Sequence, residues 1–419
     1  MKIGYACITL GVPGVGMQTC RLKNASDRNI RSIIENNLNA LKKQIEYNAE
    51  SNIMLFRISS DIIPFASHPE VSYRWCEAFR DRLHEIGEVI RKSGMRVSMH
   101  PGQYTVLNSI NEDVVDRAAA DLKYHTHLLD CLEMDAQSKV ILHVGGVYGD
   151  KNAAVDRFIE NYKKLDNAIK NRLIIENDDK HYNIEDVLNI SEQLEIPVVF
   201  DNLHHEINPP SKFKTQTEWI KEAGKTWSER DGQQKIHYSQ QDRSKRAGAH
   251  SRTTAIDEFK QFLNELPKYD LDIMLEVKDK NLSAVKCLLT LDESKQIKHL
   301  EKEWAKYKYY VLGKDPKAYL EIRELLKDKK AYPADEFYKI VEDAINAQSM
   351  IKNEINAAQH VFGYFKREAS FIEKRRILGS IEKYKNGKTK LENLKKSLYK
   401  LAEKYDNEYL LNSYYFIEI

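Results

Sequence analysis

Nowhere in the 419 residues do about 18 apolar residues run together, so the sequence offers no membrane-spanning helix. Cysteine is scarce: Cys7, Cys20, Cys76, Cys131 and Cys287 are odd in number, scattered and without a CxxC pair. That pattern predicts reduced thiols in a cytoplasmic protein rather than a disulfide framework. Charge of one sign is also lacking. Lys and Arg total 65 against 63 Asp and Glu, a net of +2. The balance neither requires nor excludes a nucleic-acid partner, because local patches rather than net charge bind phosphate. The opening MKIGYACITLG has no long apolar stretch with a small-residue cleavage site, so it reads as a first strand and not as a secretion signal. Low-complexity linkers and short-period repeats are missing as well. The LHVGG run is followed by no GK[ST], which excludes a phosphate-cradling P-loop there.

What is present is a large supply of core-forming residues, 42% of the chain, in a length beyond the usual single domain. Short β-rich runs alternate with amphipathic segments up to about residue 290. The runs are Ile3–Ile8, Ile53–Ile58, Arg96–His100, Lys139–Val144, Arg172–Glu176, Pro197–Asp201, Lys235–Ser239 and Asp272–Val277. Between them, 28–50, 71–93, 112–134 and 153–170 carry apolar residues at helical spacing. Strands alternating with helices imply parallel βαβ units, and eight such units predict a TIM (β/α)8 barrel over 1–295, with an open doubly wound sheet as the competitor. Residues 296–419 are rich in Lys, Glu and Tyr and read as a C-terminal helical extension.

The polar residues decide between barrel and open sheet. His100, His143, Glu176, Asp201, His237 and Glu276 stand at or just beyond the ends of six strands, or within the last turn of one, and His204 and His250 follow in the adjoining loops. In a barrel all the strand ends point to one face, so these residues, distant in sequence, would converge in space. Mixed imidazoles and carboxylates suit Mn, Zn or Fe better than an all-oxygen cage. Eight ligands exceed one ion, so two or three divalent metal ions sharing Glu176 as a bridge are expected. Taken singly, each residue has an ordinary reading: Asp201 as a helix cap, Glu276 as a partner of Lys278 or Lys280. Residues and physics together reach a metal-assisted hydrolase or isomerase.

FRISSDIIPFASHP (56–69), SMHPGQY (98–104), LHVGGVYGDK (142–151), IENDD (175–179), VVFDNLHHEINPP (198–210), KIHYSQQ (235–241) and RAGAHS (246–251) resemble, in order, the motif series of the UV damage endonuclease family. That family is similar in fold and metal site to endonuclease IV and the xylose-isomerase-like barrels. The resemblance implies a metal-dependent DNA-repair endonuclease that cuts immediately 5′ of cyclobutane dimers, 6-4 products and abasic sites, leaving a 3′-hydroxyl. It implies manganese, with zinc, magnesium or cobalt as alternatives, and damaged double-stranded DNA as the partner, with no membrane and no obligate protein partner. It adds His68 as a further metal candidate, Glu176 and Lys235 as catalytic residues (Lys235 as a carbamate reaching the metals), and Gln103, Tyr104 and Tyr5 at the lesion. Phosphate contacts are expected from Lys151, Arg243, Lys245, Arg246 and Arg252. One departure is Thr9, which stands near the place where many members carry asparagine. An endonuclease IV-like enzyme for abasic sites and a xylose-isomerase-like sugar isomerase are the alternative readings.

Overall fold

A computed structural model describes residues 1–417, which divide into two compact units. The first comprises Met1–Thr9, Gly14–Thr254 and Lys260–Val285; the second comprises Leu10–Pro13, Ala255–Phe259 and the described chain from Lys286 on. Each expected strand forms, trimmed to four residues: β1 (Ile3–Ala6), β2 (Leu55–Ile58), β3 (Arg96–Met99), β4 (Val140–His143), β5 (Leu173–Glu176), β6 (Val198–Asp201), β7 (Lys235–Tyr238) and β8 (Asp272–Leu275). Neighbours pair in parallel and β1 closes on β8 through Ile3 opposite Ile273 and Tyr5 opposite Leu275, giving the TIM barrel rather than the open sheet. Gly4 permits one tight approach in this ring: a Cβ there would fall 1.7 Å from the Leu55 carbonyl oxygen.

The helices follow from periodicity and caps. Asp27–Glu50 buries Ile30, Ile33, Ile34, Leu38, Leu41 and Ile45, one face at helical spacing, and Ser26 caps its start by accepting from the Asn29 N–H. The segment expected at 153–170 begins earlier and breaks. Asp150 caps a helix over Lys151–Lys164 by accepting from Ala153, and a second short helix covers Asn167–Lys170.

Buried charge closes the N-terminal end of the barrel. Arg96 and Asp272, the first residues of β3 and β8, pair at 3.0 Å, and Arg96 also donates to the carbonyls of Asp231 and Gln233. Lys139 meets Asp231 at 2.6 Å. These groups lie opposite the face where TIM barrels build their chemistry, the position of stabilising residues.

The cysteine expectation needs correction. Cys76 and Cys131 are paired in a disulfide across 55 residues of sequence. Cys76 sits in the short helix Trp75–Ala78 after β2, and Cys131 ends the helix Glu112–Cys131. Folding brings these two elements together, and no local spacing could announce it. Cys7, Cys20 and Cys287 take no part in a disulfide.

The second unit is helical as expected, with Ile297–Lys314, Pro316–Leu325, Ala334–Asn346, Ile351–Gly363, Phe371–Lys385 and Leu391–Lys404 as its longer helices. Val361, Phe362, Phe365, Ile377, Leu394 and Leu398 lie in one buried cluster. The expected extension includes Glu418 and Ile419, which lie outside the described residues. No helix among the described residues is long and apolar enough to cross a membrane.

Candidate metal centre

Strand register assembles the site. His143 of β4 lies opposite Glu176 of β5, and Asp201 of β6 lies opposite His237 of β7. The ligand atoms of His100, His143 and Glu176 lie within 4.8 Å of one another, as do those of Asp201, His237 and Glu276. Glu176 joins the two groups. Its Oε1 stands 2.9 Å from both His100 Nε2 and His143 Nε2, and its Oε2 stands 2.6 Å from His237 Nδ1. His237 Nδ1 is in turn 3.3 Å from Glu276 Oε1.

Backbone carbonyls fix several of the imidazoles. His100 Nδ1 donates to the Pro101 carbonyl at 3.0 Å and His204 Nδ1 to that of Asn177 at 2.9 Å, while His250 Nδ1 donates to that of Glu276. A carbonyl only accepts, so each Nδ1 carries a hydrogen, and in the neutral ring Nε2 is the nitrogen left for a ligand. Asp201 fulfils its reading as a helix cap. Its Oδ1 caps the helix Asn202–Ile207 by accepting from His204 N–H at 2.8 Å, and its Oδ2 is buried without a partner. Asn177 holds this corner, exchanging two backbone–amide hydrogen bonds with Asp201.

The electrostatics are those of a crowded anionic pocket. Burial would raise the Glu176 carboxyl, but His237, His143 and His100 outweigh it and hold it well below its ordinary range. Burial raises Asp201; His204 opposes this, and Glu276 and Glu176 reinforce it. Burial lowers His100 to about 4 against the attraction of Glu176. It also disfavours charge on His204, yet Asp201, Glu176 and Glu276 lift that imidazole to about 9.

Divalent cations fit these residues. A neutral His100 presents its Nε2 lone pair to a carboxylate oxygen at 2.9 Å, a repulsive contact that a shared cation would relieve. Glu176 Oε2, Asp201 Oδ2, His143 Nδ1 and both His237 ring nitrogens are buried without hydrogen-bond partners. Native interiors rarely tolerate so many orphaned donors and acceptors together, and a set of imidazoles with carboxylates suits first-row divalent ions.

The other predicted residues fall in several places. His204, His250 and His68 join neither ligand group; His68 Nδ1 accepts from Glu70 N–H at 3.2 Å and its ring packs on Phe65. Lys235, at the start of β7 and two residues below His237, is buried, and burial together with Arg96 and Arg57 pushes its amine well below the ordinary lysine range. Gln103 and Tyr104 form an exposed turn after β3, with Tyr104 74% accessible. Tyr5 is buried, its hydroxyl 2.5 Å from Thr9 Oγ1 and 2.8 Å from Asn48 Oδ1. Lys151 is engaged by Asp186 at 2.6 Å and lies over the Tyr182 ring. Arg243, Lys245, Arg246 and Arg252 are exposed on the loop that carries His250, with Lys245 paired to Asp242 at 3.2 Å.

Sequence reasoning missed Arg57. It lies on β2 and its guanidinium pairs with Glu276, inside the pocket. The available signal was an arginine within the strand run LFRI, a place where an unpaired cation would be costly. Gly145 answers to a need of this face: its φ is +114°, and a Cβ there would fall 2.4 Å from Asn108 Oδ1.

Residues 1–308 match the family model described as "UV-endonuclease UvdE". The chain belongs to that family. A UV DNA damage endonuclease of Clostridium perfringens is 42% identical over 332 residues, covering 78% of this chain and 80% of the relative. One from Bacillus cereus is 34% identical, covering 66% and 88%. Among solved structures, SacUVDE superposes with a TM-score of 0.66 at 39% identity, covering 70% of this chain and 99% of that one. UvdE membership makes the chain a DNA-repair endonuclease of the UV-damage class. Residues 308–418 match a second family model, "Protein of unknown function (DUF1722)".

Proposed function

We propose that this UvdE-family barrel is a metal-dependent endonuclease that incises the phosphodiester bond immediately 5′ of cyclobutane pyrimidine dimers and 6-4 products, and of abasic sites, leaving a 3′-hydroxyl. The observation that carries the reading is Glu176, whose two oxygens face two different ligand groups in a pocket full of orphaned donors and acceptors. His100, His143, Glu176, Asp201, His204, His237, His250 and Glu276 would hold two or three divalent ions, with manganese the expected metal. Such ions supply hydroxide near neutral pH and neutralise charge on a phosphoryl group during in-line displacement.

The chain's own residues do the rest. Arg57 holds Glu276 in place at the edge of the pocket. Lys235, whose amine burial beside Arg57 and Arg96 holds well below the ordinary lysine range, would add carbon dioxide with release of a proton and reach the site as a carbamate anion. Gln103 and Tyr104, exposed on a turn, fill the gap left when damaged nucleotides leave the stack; stacking on an aromatic contributes about 1–3 kcal/mol per base. Arg243, Arg246 and Arg252 contact phosphates without reading sequence. Distorted duplexes cost less to open, so one site serves chemically different lesions.

The test is a nicking assay on an end-labelled duplex carrying one cyclobutane dimer, with abasic and undamaged duplexes alongside. Manganese-dependent cutting just 5′ of the dimer, abolished by EDTA and by Glu176→Gln, is the expected result. Cutting confined to the abasic duplex would replace this reading with an endonuclease IV-like one.

A further inference from the structure

We propose that the helical pair Phe371–Lys385 and Leu391–Lys404 is a second duplex-binding surface, one that holds undamaged DNA through its phosphates. Charge is the first observation. Residues 374–400 contain ten Lys and Arg against two Asp and Glu, whereas the whole chain nets only +2. Arg375, Arg376, Lys383, Lys388, Lys390 and Lys396 are exposed, and none of them forms an ion pair among the described residues. Within the pair, Lys385 meets Glu382 and Lys404 meets Glu373, so the free cations lie between those two contacts; elsewhere in the unit Lys327 pairs with Glu324 and Lys329 with Glu301.

The second observation is what shares that face. Phe371, Ile372 and Leu378 are 78%, 77% and 54% accessible. Phe371, Arg375 and Leu378 recur at i, i+4 and i+7, and Ile372 and Arg376 at i and i+4, so apolar and cationic side chains alternate on one outward surface. Ile377 and Ile381 point the other way, into the buried cluster with Leu394 and Leu398. A helix that merely faces water carries charges of both signs, and a membrane-lying helix keeps its apolar side opposite its basic one. Cations interleaved with exposed apolar groups fit a duplex, where basic side chains neutralise phosphates and apolar ones lie against the sugars. The identity of the polyanion rests on the chain's reading as a DNA endonuclease. Such a surface raises residence on undamaged DNA and supports movement along it, since phosphate contacts carry no sequence information.

The experiment uses the full chain and an undamaged 30-base-pair fluorescent duplex (a length of about three helical turns) in EDTA, so that incision plays no part. Anisotropy titrations across a salt series compare the parent with a variant combining Arg375→Gln, Arg376→Gln, Lys383→Gln and Lys388→Gln. We expect affinity to fall about tenfold or more at moderate salt, and the slope of log K against log salt to shrink by roughly 3 to 4. The control Lys327→Gln with Lys329→Gln should leave both unchanged, and an unaltered thermal midpoint will show that the variant folds. Equal affinity and slope in parent and fourfold variant would overturn the proposal. So would binding of the parent to phosphatidylserine vesicles, lost in the variant, without any change on DNA. Dimer nicking by the fourfold variant at saturating enzyme should match the parent, which separates this surface from the barrel site.

Discussion

Glu176 is the residue on which the candidate centre turns, because its two oxygens address separate ligand groups. Glu176→Gln keeps the shape and removes the charge. We expect it to lower incision by about a hundredfold or more, above the roughly 10–100-fold that loss of a residue merely supporting a ligand costs, and to weaken manganese binding measured by calorimetry. His204 makes a pH prediction. Its folded-state pKa of about 9 lies above the ordinary imidazole value, so the metal-free folded chain holds that proton more tightly than the unfolded chain does. The resulting stabilisation is complete below about pH 6.5 and is lost as pH rises through about 9. Thermal unfolding in EDTA should therefore show a falling midpoint over that window. Added metal, which must displace the proton, should raise the midpoint more at pH 8 than at pH 6. Asp201→Asn removes the leading attraction, and the pH slope should flatten.

At the scale of elements, the strands were legible as compact apolar runs, six of them closed by a polar residue. Six such endings converge on one site only if the sheet closes, and that logic reached the candidate ligands without any contact information. Other features were hidden for physical reasons. Arg57 stands in the strand run LFRI with no partner nearby in sequence; its pairing with Glu276 spans 219 positions and exists only once β2 and β8 stand in the same ring. Tyr5 has the same residue type as a pocket tyrosine, and only packing shows its hydroxyl engaged with Thr9 and Asn48. Lys151 looked available for phosphate, but Asp186, one turn into another helix, engages it. The Arg96–Asp272 pair at the opposite end of the barrel makes a separate prediction. Asp272→Ala leaves a buried guanidinium uncompensated and should cost about 3–5 kcal/mol, read as a lower denaturant midpoint. Double replacement by Arg96→Met and Asp272→Leu should recover much of that loss.

At the scale of the whole molecule, the helical character of the second unit was legible from its Lys, Glu and Tyr periodicity, but the interleaving of Leu10–Pro13 and Ala255–Phe259 with it was not, since those short stretches carry no signal of their own. The same blindness applied to Cys76 and Cys131. Their bond turns one stretch of the first unit into a covalent ring containing β3, His100 and the exposed turn at Tyr104. A protease that cuts after Tyr104 would break the backbone within that ring and still leave one molecule. The nicked chain should run as a single band without reductant and as two fragments with it, and the fragment masses would place the cut and the cross-link in one gel.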